Sequence, residues 1–230
     1  MDAIVAGTEL ERRYGEGDAA VHALAGVTVA FARGEFAAIM GASGSGKSTL
    51  MHCLAGLDQP TAGSVVLDGV ELAGLGDREL TALRRDRVGF VFQAFNLLPV
   101  LTAEENVLLP LTLAGRAPDR DWVDGLLETV GLTDRRTHRP AELSGGQQQR
   151  VAVARALVHR PAVVFADEPT GNLDSRSSEE VLRLLRDSVD SLGQTVVMVT
   201  HDADAAAHTD RLVELADGRL VRDGPRSPSP

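Results

Sequence analysis

Residues 36–54 read FAAIMGASGSGKSTLMHCL, and this stretch decides the fold class. The apolar run at 36–40 has the length and character of a buried parallel strand. A glycine-rich loop follows it, and leucines then recur at helical spacing. A strand, a glycine loop and a helix in this order, with the pattern G-x-x-x-x-G-K-[ST] at 41–48, predict a phosphate-binding loop. The competing interpretation is a flexible glycine-serine loop, which the flanking strand and helix disfavour.

The residue types in this loop suit a nucleotide phosphate. Glycines let successive backbone N–H groups turn inward, and the N-terminus of the next helix adds positive potential there. Lys47 is the only lysine among 23 Lys and Arg residues, and its compact ammonium suits the β- and γ-phosphates of ATP. We expect the Ser48 hydroxyl to bind Mg²⁺. The predicted nucleotide contacts of this segment are Gly41, Ser43, Gly44, Ser45, Gly46, Lys47, Ser48 and Thr49.

Two acidic residues end a second apolar run, at 162–166. Asp167 and Glu168 follow it at the carboxyl end of the predicted strand, where α/β sheets bind their ligands. We expect Asp167 to hold Mg²⁺ and Glu168 to polarise a water molecule in line with the γ-phosphate. An acidic turn without function is the alternative. His201 follows a further predicted strand, at 195–199, and taken alone a histidine there is ordinary.

The segment LSGGQ at 143–147 allows two interpretations. Ser144 and Gln147 have the S-x-x-Q spacing of a helix capping box, which by itself accounts for both residues. The box leaves Gly145 and Gly146 unexplained, because each glycine in a first turn costs about 1 kcal/mol relative to alanine. Two glycines suit a helix N-terminus that a phosphate group must approach closely.

Patterning along the chain divides it into three parts. Short strands and a turn at Asp68-Gly69 predict an antiparallel β portion in the first third, and helical spacing dominates the middle. The sequence therefore predicts an α/β fold, a RecA-like P-loop NTPase core with an antiparallel β subdomain and an inserted α-helical subdomain. The predicted core comprises 1–93 and 159–222, the helical subdomain 94–158, and a disordered tail 223–230.

Bulk properties restrict the function. The net charge of −10 argues against nucleic acid as a partner, because binding to phosphates needs a basic surface. No apolar run approaches the roughly 18 residues of a membrane span, and the N-terminus lacks the features of a signal peptide. We therefore expect the chain to be soluble by itself. The only cysteine, Cys53, excludes an internal disulfide and fits a reducing compartment.

These motifs together resemble the ATP-binding-cassette (ABC) family, over nearly the whole chain except the tail. The phosphate-binding loop, Gln93, LSGGQ, Asp167-Glu168, the segment 172–174 and His201 occur in that family's order. The resemblance implies catalytic roles for Lys47, Gln93, Glu168 and His201. It implies metal contacts from Ser48, Gln93 and Asp167. Outside the phosphate-binding loop, it implies ATP contacts from Tyr14, Ser144, Gly145, Gly146, Gln147 and Asp174, with Tyr14 stacking on adenine.

The resemblance also implies an assembly. Two copies are expected to form a head-to-tail homodimer around two ATP molecules, each lying between one phosphate-binding loop and the other copy's residues 144–147. Gln93 would link the nucleotide to the helical subdomain, and residues 95–110 are candidates for lining a groove that receives a helix of a membrane partner. Plain core packing is the alternative for that stretch. The subunit is then peripheral, at the cytoplasmic face of the membrane, and the transmembrane permease is a separate chain.

Within the family, the segments at 95–99, 101–107 and 166–174 resemble the macrolide-export and lipoprotein-release branch. This favours an exporter or a system that handles lipids, lipoproteins or peptides. An ATP-driven regulatory module for an extracytoplasmic cell-wall enzyme, without transport, would carry the same cassette. A soluble cassette acting on DNA or ribosomes is disfavoured by the acidic charge, and a small-molecule kinase has no role for LSGGQ.

Overall fold

The computed structural model describes residues 3–15 and 20–226. The strands in these ranges are β1 (Ala3–Tyr14), β2 (Val21–Ala32), β3 (Phe36–Met40), β4 (Ala62–Leu67), β5 (Val70–Glu71), β6 (Val88–Phe92), β7 (Val163–Asp167), β8 (Thr195–Val199), β9 (Arg211–Ala216) and β10 (Arg219–Pro225). The helices are α1 (Lys47–Leu54), α2 (Asp77–Arg87), α3 (Ala103–Leu113), α4 (Arg120–Thr129), α5 (Gly145–Leu157), α6 (Ser175–Leu192) and α7 (Ala203–Ala206).

The strands form two sheets. The larger sheet has the order β10-β9-β3-β8-β7-β6, in which all neighbours are parallel except β10, which pairs antiparallel with β9. The smaller sheet has the order β2-β1-β4-β5 and is antiparallel throughout. The fold is therefore α/β with an antiparallel β portion, as the sequence predicts.

The central sheet is buried on both faces, which explains why its strands are apolar without alternation. On β3, Phe36 and Ala38 pack into a core with the helices of the middle segment and α6. Ala37 and Ile39 point to the opposite face, into a second core with α1 and the antiparallel sheet. Successive side chains of a strand point to opposite faces, so one short apolar run supplies both cores.

The middle segment consists of helices with capped N-termini. The side chains of Thr102, Asp119 and Ser144 accept hydrogen bonds from the backbone at the starts of α3, α4 and α5. Each cap satisfies an N–H group that the helix itself cannot pair, typically worth about 1 kcal/mol. Trp122, which we expect to serve in packing, lies partly buried against the core, and its Nε1 donates to the Val158 carbonyl.

The structure contradicts one sequence expectation, the disordered tail, and it extends or adds two elements that the apolar pattern does not indicate. Residues 223–225 were predicted as disordered tail, but they form the end of β10, where Asp223 and Gly224 pair with β9. The rest of that predicted tail, beyond Arg226, lies outside the described residues. β2 begins at Val21, six residues earlier than its apolar pattern suggests, because it pairs with the long β1. Helix α2, rich in Arg and Asp with only Leu80 buried, gives little apolar periodicity to detect.

Of the helices in the described part of the chain, none is both long enough and apolar enough to cross a lipid bilayer.

Candidate functional site

Four adjacent parallel strands end along one line. In register across the sheet, Ile39 of β3 faces Val199 of β8, Val199 faces Asp167 of β7, and Asp167 faces Phe92 of β6. The residues that follow these positions start four loops at the carboxyl edge of the sheet, where α/β proteins bind ligands. The loops carry Lys47, His201, Glu168 and Gln93, which are far apart in sequence.

The glycine loop between β3 and α1 needs its glycines for space and for backbone conformation. Gly41 has φ 148°, and a Cβ there would lie 2.3 Å from the Leu215 carbonyl oxygen. Gly46, the N-cap of α1, has φ 101°, and a Cβ there would lie 2.3 Å from the Ala23 carbonyl oxygen. Both conformations strain any residue with a side chain, so alanine at either position would displace the backbone.

The ammonium of Lys47 lies over this loop. Its Nζ donates to the carbonyl oxygens of Gly41 at 2.9 Å and Ala42 at 2.8 Å, and the residue is 8% exposed. A positive charge is thereby held at the N-terminus of α1, beside the backbone N–H groups of its first turn. This is the electrostatic arrangement that attracts phosphate.

The two acidic side chains at the end of β7 contact different partners. Asp167 Oδ1 lies 3.4 Å from the Ser48 hydroxyl oxygen, and burial raises the pKa of the Asp167 carboxyl. Glu168 has φ 47°, in the left-handed region that non-glycine residues rarely adopt. That conformation turns its side chain toward His201, whose Nδ1 lies 2.8 Å from Glu168 Oε1. The adjacent carboxylates are thus separated, one toward the phosphate-binding loop and one toward His201.

Gln93 is held by a residue of the segment after β7. Its Nε2 donates to Asn172 Oδ1 at 3.3 Å, and Asn172 Nδ2 donates back to the Gln93 carbonyl oxygen at 3.0 Å. Gly171 makes room for this pair, because a Cβ there would lie 2.7 Å from Gln93 Nε2. Sequence reasoning did not identify Gly171 or the Gln93–Asn172 pairing, since neither leaves a local pattern.

A cleft of about 560 Å³ joins these loops. Nine of the predicted site residues line it, namely Ser43, Gly44, Gly46, Lys47, Ser48, Thr49, Gln93, Glu168 and His201. Val21 and Ala23 of β2 complete the wall. Their role was not predicted, because apolar residues of a strand carry no signal of ligand contact.

Tyr14 is not among the residues that line this cleft. It ends β1, its hydroxyl donates to Asp58 Oδ2 at 2.6 Å, and the Arg12 guanidinium lies 4.6 Å from its ring centroid. The residue as a whole is 42% exposed. Its predicted stacking on adenine therefore stays a prediction.

The LSGGQ segment also lies apart from the lining of the cleft. Ser144 and Gln147 form the reciprocal capping box: Gln147 N donates to Ser144 Oγ at 3.3 Å, and Ser144 N donates to Gln147 Oε1 at 2.8 Å. Packing within the chain explains the glycine at 146, since a Cβ there would lie 2.7 Å from Ser177 Oγ. Packing among the described residues does not explain the glycine at 145, since the nearest neighbour of a Cβ there would be a Leu173 methyl at 3.6 Å.

Asp174 connects this segment to α6. It is the N-cap of α6, and its carboxylate accepts from the Ser177 backbone N and from the Ser177 hydroxyl, each at 2.9 Å. These hydrogen bonds lower the pKa of the Asp174 carboxyl. Because the same Ser177 contacts Gly146, Asp174 and the start of α5 are neighbours.

The sheet order and the loop define a P-loop nucleotide-binding protein with an inserted helical segment. The protein-family profile described as "ABC transporter" matches residues 24–171. The chain belongs to the ABC transporter family, in which it is an ATPase cassette.

Relatives with assigned names agree with this family. The chain is 51% identical over 224 residues to "Macrolide export ATP-binding/permease protein MacB" of Marinobacter nauticus, covering 96% of this chain and 35% of the relative. It is 52% identical over 216 residues to the protein of the same name from Rhodopseudomonas palustris, covering 93% of this chain and 33% of the relative. The chain thus spans about a third of the length of these relatives.

Solved structures share the fold. The dimeric post-hydrolysis structure of the ATP-binding cassette MJ0796, bound to ADP and Pi, matches with a TM-score of 0.86 and 43% identity, covering 96% of this chain and 98% of that chain. The structure of cbiO1 from Clostridium perfringens, part of the ABC transporter complex cbiONQ, matches with a TM-score of 0.87 and 31% identity, covering 98% of this chain and 89% of that one.

Proposed function

We propose that this cassette binds and hydrolyses ATP at two sites of a head-to-tail homodimer, and thereby drives a transmembrane permease from the cytoplasmic face of the membrane. One observation carries the proposal. A single chain gathers Lys47, Gln93, Glu168 and His201 around one cleft, while the capped N-terminus of α5 does not line it. The site is thus incomplete until a second copy supplies that N-terminus.

Binding of ATP rests on the glycine loop. The inward N–H groups and the Lys47 ammonium hold the β- and γ-phosphates, and the N-terminal potential of α1 adds to this attraction. Phosphate then takes the place of the two loop carbonyls as the partner of Lys47 Nζ. Tyr14 remains our candidate for the adenine contact, on the ring face that Arg12 does not cover.

The donor set suits Mg²⁺ bound with ATP. Hydroxyl and carboxylate oxygens are the ligands this hard cation takes from proteins, and the Ser48 hydroxyl and the Asp167 carboxylate face each other across 3.4 Å. We assign these two residues, with the Gln93 side chain, as its protein contacts. When bound, the ion neutralises charge on the phosphate oxygens.

Hydrolysis depends on Glu168. Its carboxylate accepts a proton from a water molecule, whose oxygen then attacks the γ-phosphorus, and the bond to the β–γ bridging oxygen breaks to release ADP and phosphate. The His201 ring, 2.8 Å from Glu168 Oε1, orients the carboxylate. Gln93 is positioned at the same cleft and responds to the γ-phosphate.

Each ATP is contacted by Ser144, Gly145, Gly146 and Gln147 of the copy opposite the one whose glycine loop binds it. Gly145 supports this assignment, because no contact among the described residues of its own chain requires a glycine at that position. The missing side chain lets a phosphate approach the helix N-terminus closely. Asp174, at the start of α6 beside Ser177, belongs to the same face. After hydrolysis the phosphate that bridges the copies is gone, and the dimer opens.

A cleft of about 380 Å³ on the helical side suits the membrane partner. Its lining is mostly apolar and includes the exposed Leu57 and Leu113 with Asn96, Leu109 and Pro110. The stretch 95–110 therefore divides between our two interpretations. Asn96, Leu109 and Pro110 line the groove, while Ala103, Asn106 and Val107 are buried in the core.

The relatives named for macrolide export favour an export-type permease over the regulatory alternative. Because this chain covers about a third of those relatives, the cargo is not transferred from their names. The acidic net charge supports the absence of nucleic acid among its partners.

Glu168→Gln tests the proposal. The amide keeps the shape of the side chain but cannot accept the proton, so ATP binding is retained while turnover falls by about 10²-fold or more. ATP binding is measured by equilibrium titration and turnover by phosphate release. Glu128→Gln, an exposed acid of α4, is the matched control and keeps wild-type turnover. A Glu168→Gln protein with more than about a tenth of wild-type turnover would exclude this role for Glu168.

A further inference from the structure

The loop after Gln93 has an unusual backbone. Phe95 has φ 58° and Asn96 has φ 51°, so two consecutive residues with side chains occupy the left-handed region. Non-glycine residues enter this region singly and rarely, and they persist there when surrounding contacts hold them. Hydrogen bonds from Phe95 N to Phe92 O and from Asn96 N to Ala94 O close the turn locally. These local hydrogen bonds are joined by a contact from another element.

Arg155 of α5 supplies that contact. One terminal nitrogen donates to the Asn96 carbonyl oxygen at 2.6 Å, and the other donates to the Phe95 carbonyl oxygen at 2.8 Å. A planar guanidinium can span two neighbouring carbonyls in this way, whereas a lysine ammonium is a single point donor. Within residues 3–15 and 20–226, no carboxylate forms an ion pair with Arg155, so the two carbonyls are its partners. Burial without a carboxylate lowers its pKa.

We propose that Arg155 is a positioning residue that holds the 93–96 loop in the conformation placing Gln93 at the nucleotide cleft. This inference rests on the proposed role of Gln93 in hydrolysis. Gln149, about one and two-thirds turns earlier on α5, contacts the other end of the same loop, since its Nε2 donates to the Phe92 carbonyl oxygen at 3.3 Å. Side chains of α5 therefore form hydrogen bonds with the backbone on both sides of Gln93.

Arg155 and the capped start of α5 lie at opposite ends of one helix. Ser144 is the N-cap of this helix, and Arg155 lies near its C-terminus. At 1.5 Å per residue, the two positions are about 16 Å apart along the helix axis. Arg155 also lines the apolar groove that we assign to the membrane partner. A segment seated in that groove would touch a side chain that belongs to α5 and holds the Gln93 loop. Arg155 thus lies where the groove, the Gln93 loop and α5 meet.

Arg155→Met tests the role, because methionine keeps most of the length but donates no hydrogen bond. In the full chain we expect kcat for ATP hydrolysis to fall about tenfold while the Kd for ATP stays within about twofold, since the phosphate-binding loop is untouched. Arg155→Lys should recover part of the loss, to about threefold below wild type, because it restores donors but not the fork. Arg150→Met is the matched control: Arg150 is half-buried on the same helix and donates to the Val130 carbonyl oxygen at 3.3 Å, away from the loop. Its kcat should stay within about twofold of wild type, and thermal melts of both variants separate a loss of kcat from a loss of stability.

A double-mutant cycle with Gln93→Ala identifies the route. If Arg155 acts through Gln93, adding Arg155→Met to Gln93→Ala lowers kcat by less than about twofold. Equal losses of kcat in the Arg155 and Arg150 variants, or fully additive losses in the cycle, would overturn the inference while leaving the role of Gln93 intact. Wild-type turnover in Gln93→Ala would instead overturn the proposed role of Gln93, and this inference with it. Should Arg155→Met fail to fold, Arg155→Lys decides alone, and wild-type kcat in that variant would refute the need for the fork.

Discussion

Gly145 and Gly146 follow one another in the first turn of α5, but their surroundings differ. A Cβ on Gly146 would lie 2.7 Å from Ser177 Oγ, which Asp174 holds in place by a hydrogen bond. A Cβ on Gly145 would meet only ordinary van der Waals neighbours, a Leu173 methyl at 3.6 Å and Phe95 at 3.8 Å. Packing within the chain thus requires a glycine at 146. No such packing constraint applies at 145, where a glycine suits contact with a bound phosphate.

The pair allows folding and function to be separated by two alanine substitutions. Gly146→Ala should lower the free energy of unfolding by about 1–2 kcal/mol, because the cost of overpacking exceeds the gain in helix propensity. Gly145→Ala should leave the free energy of unfolding unchanged or raise it by up to about 1 kcal/mol. It should nevertheless lower ATP turnover by at least about tenfold, since in the proposed dimer the added methyl group would face the γ-phosphate of the ATP held by the other copy. Urea unfolding and phosphate release measure the two effects, and wild-type turnover in Gly145→Ala would refute the surface role.

At the scale of elements, the loop that enters α3 is organised by one buried amide. Asn106 is fully buried, its Oδ1 accepts from the Leu98 backbone N at 2.8 Å, and its Nδ2 donates to the carbonyl oxygens of Leu98, Leu101 and Thr102. Among the described residues, the Leu98 N–H and the Leu101 carbonyl have no other backbone partner, whereas the carbonyls of Leu98 and Thr102 also accept from Leu101 N and Asn106 N. The Asn106 side chain therefore supplies hydrogen bonds to the backbone of the irregular segment between the Gln93 loop and α3.

Asn106→Ala should destabilise the protein by about 2 kcal/mol, because it removes the hydrogen-bond partner of the Leu98 N–H and of the Leu101 carbonyl. The control is Thr112→Ala on the same helix, an exposed residue whose loss should change stability by less than about 0.5 kcal/mol. Chemical denaturation of both variants, compared at the transition midpoint, measures the difference. Equal midpoints for the two variants would show that the loop does not depend on the amide.

At the scale of the molecule, the proposed composite site requires two like-charged copies to associate. Each chain carries a net charge of −10, so electrostatic repulsion opposes the dimer and the bound nucleotides add to it. Interactions made through ATP, between the glycine loop of one copy and the α5 N-terminus of the other, have to exceed this repulsion. Association is therefore expected only with nucleotide bound, and salt should favour it by screening.

Glu168→Gln should migrate as a dimer, with about twice the 24.3 kDa mass of the chain, when Mg-ATP is present, and as a monomer without nucleotide. The reason is that the variant keeps the bridging γ-phosphate in place. Light scattering after size exclusion, at low and high salt, gives the mass directly. Lys47→Ala in the same background is the control and should stay monomeric, because it loses the phosphate contact. A Glu168→Gln protein that is monomeric under every condition would contradict the head-to-tail site.

Local chemistry was sufficient to predict the glycine loop with Lys47, the acids after β7 and the capped start of α5. Each of these depends on residues within a few positions of one another, and strand, loop and helix signals are local. The same holds for the α/β architecture, because apolar runs that do not alternate indicate a sheet covered on both faces.

What the tertiary structure alone decided are the contacts between segments distant in sequence. The order β3-β8-β7-β6 brings His201 and Gln93 to the same edge as Lys47, the left-handed backbone at Glu168 turns that residue to His201, and Arg155 reaches the loop after Gln93. None of these leaves a periodic or local pattern, since strand order and side-chain reach follow from how the two cores pack. For the same reason residues 223–225, polar and rich in glycine and proline by composition, extend a strand: pairing with β9 supplies the backbone hydrogen bonds that composition does not reveal.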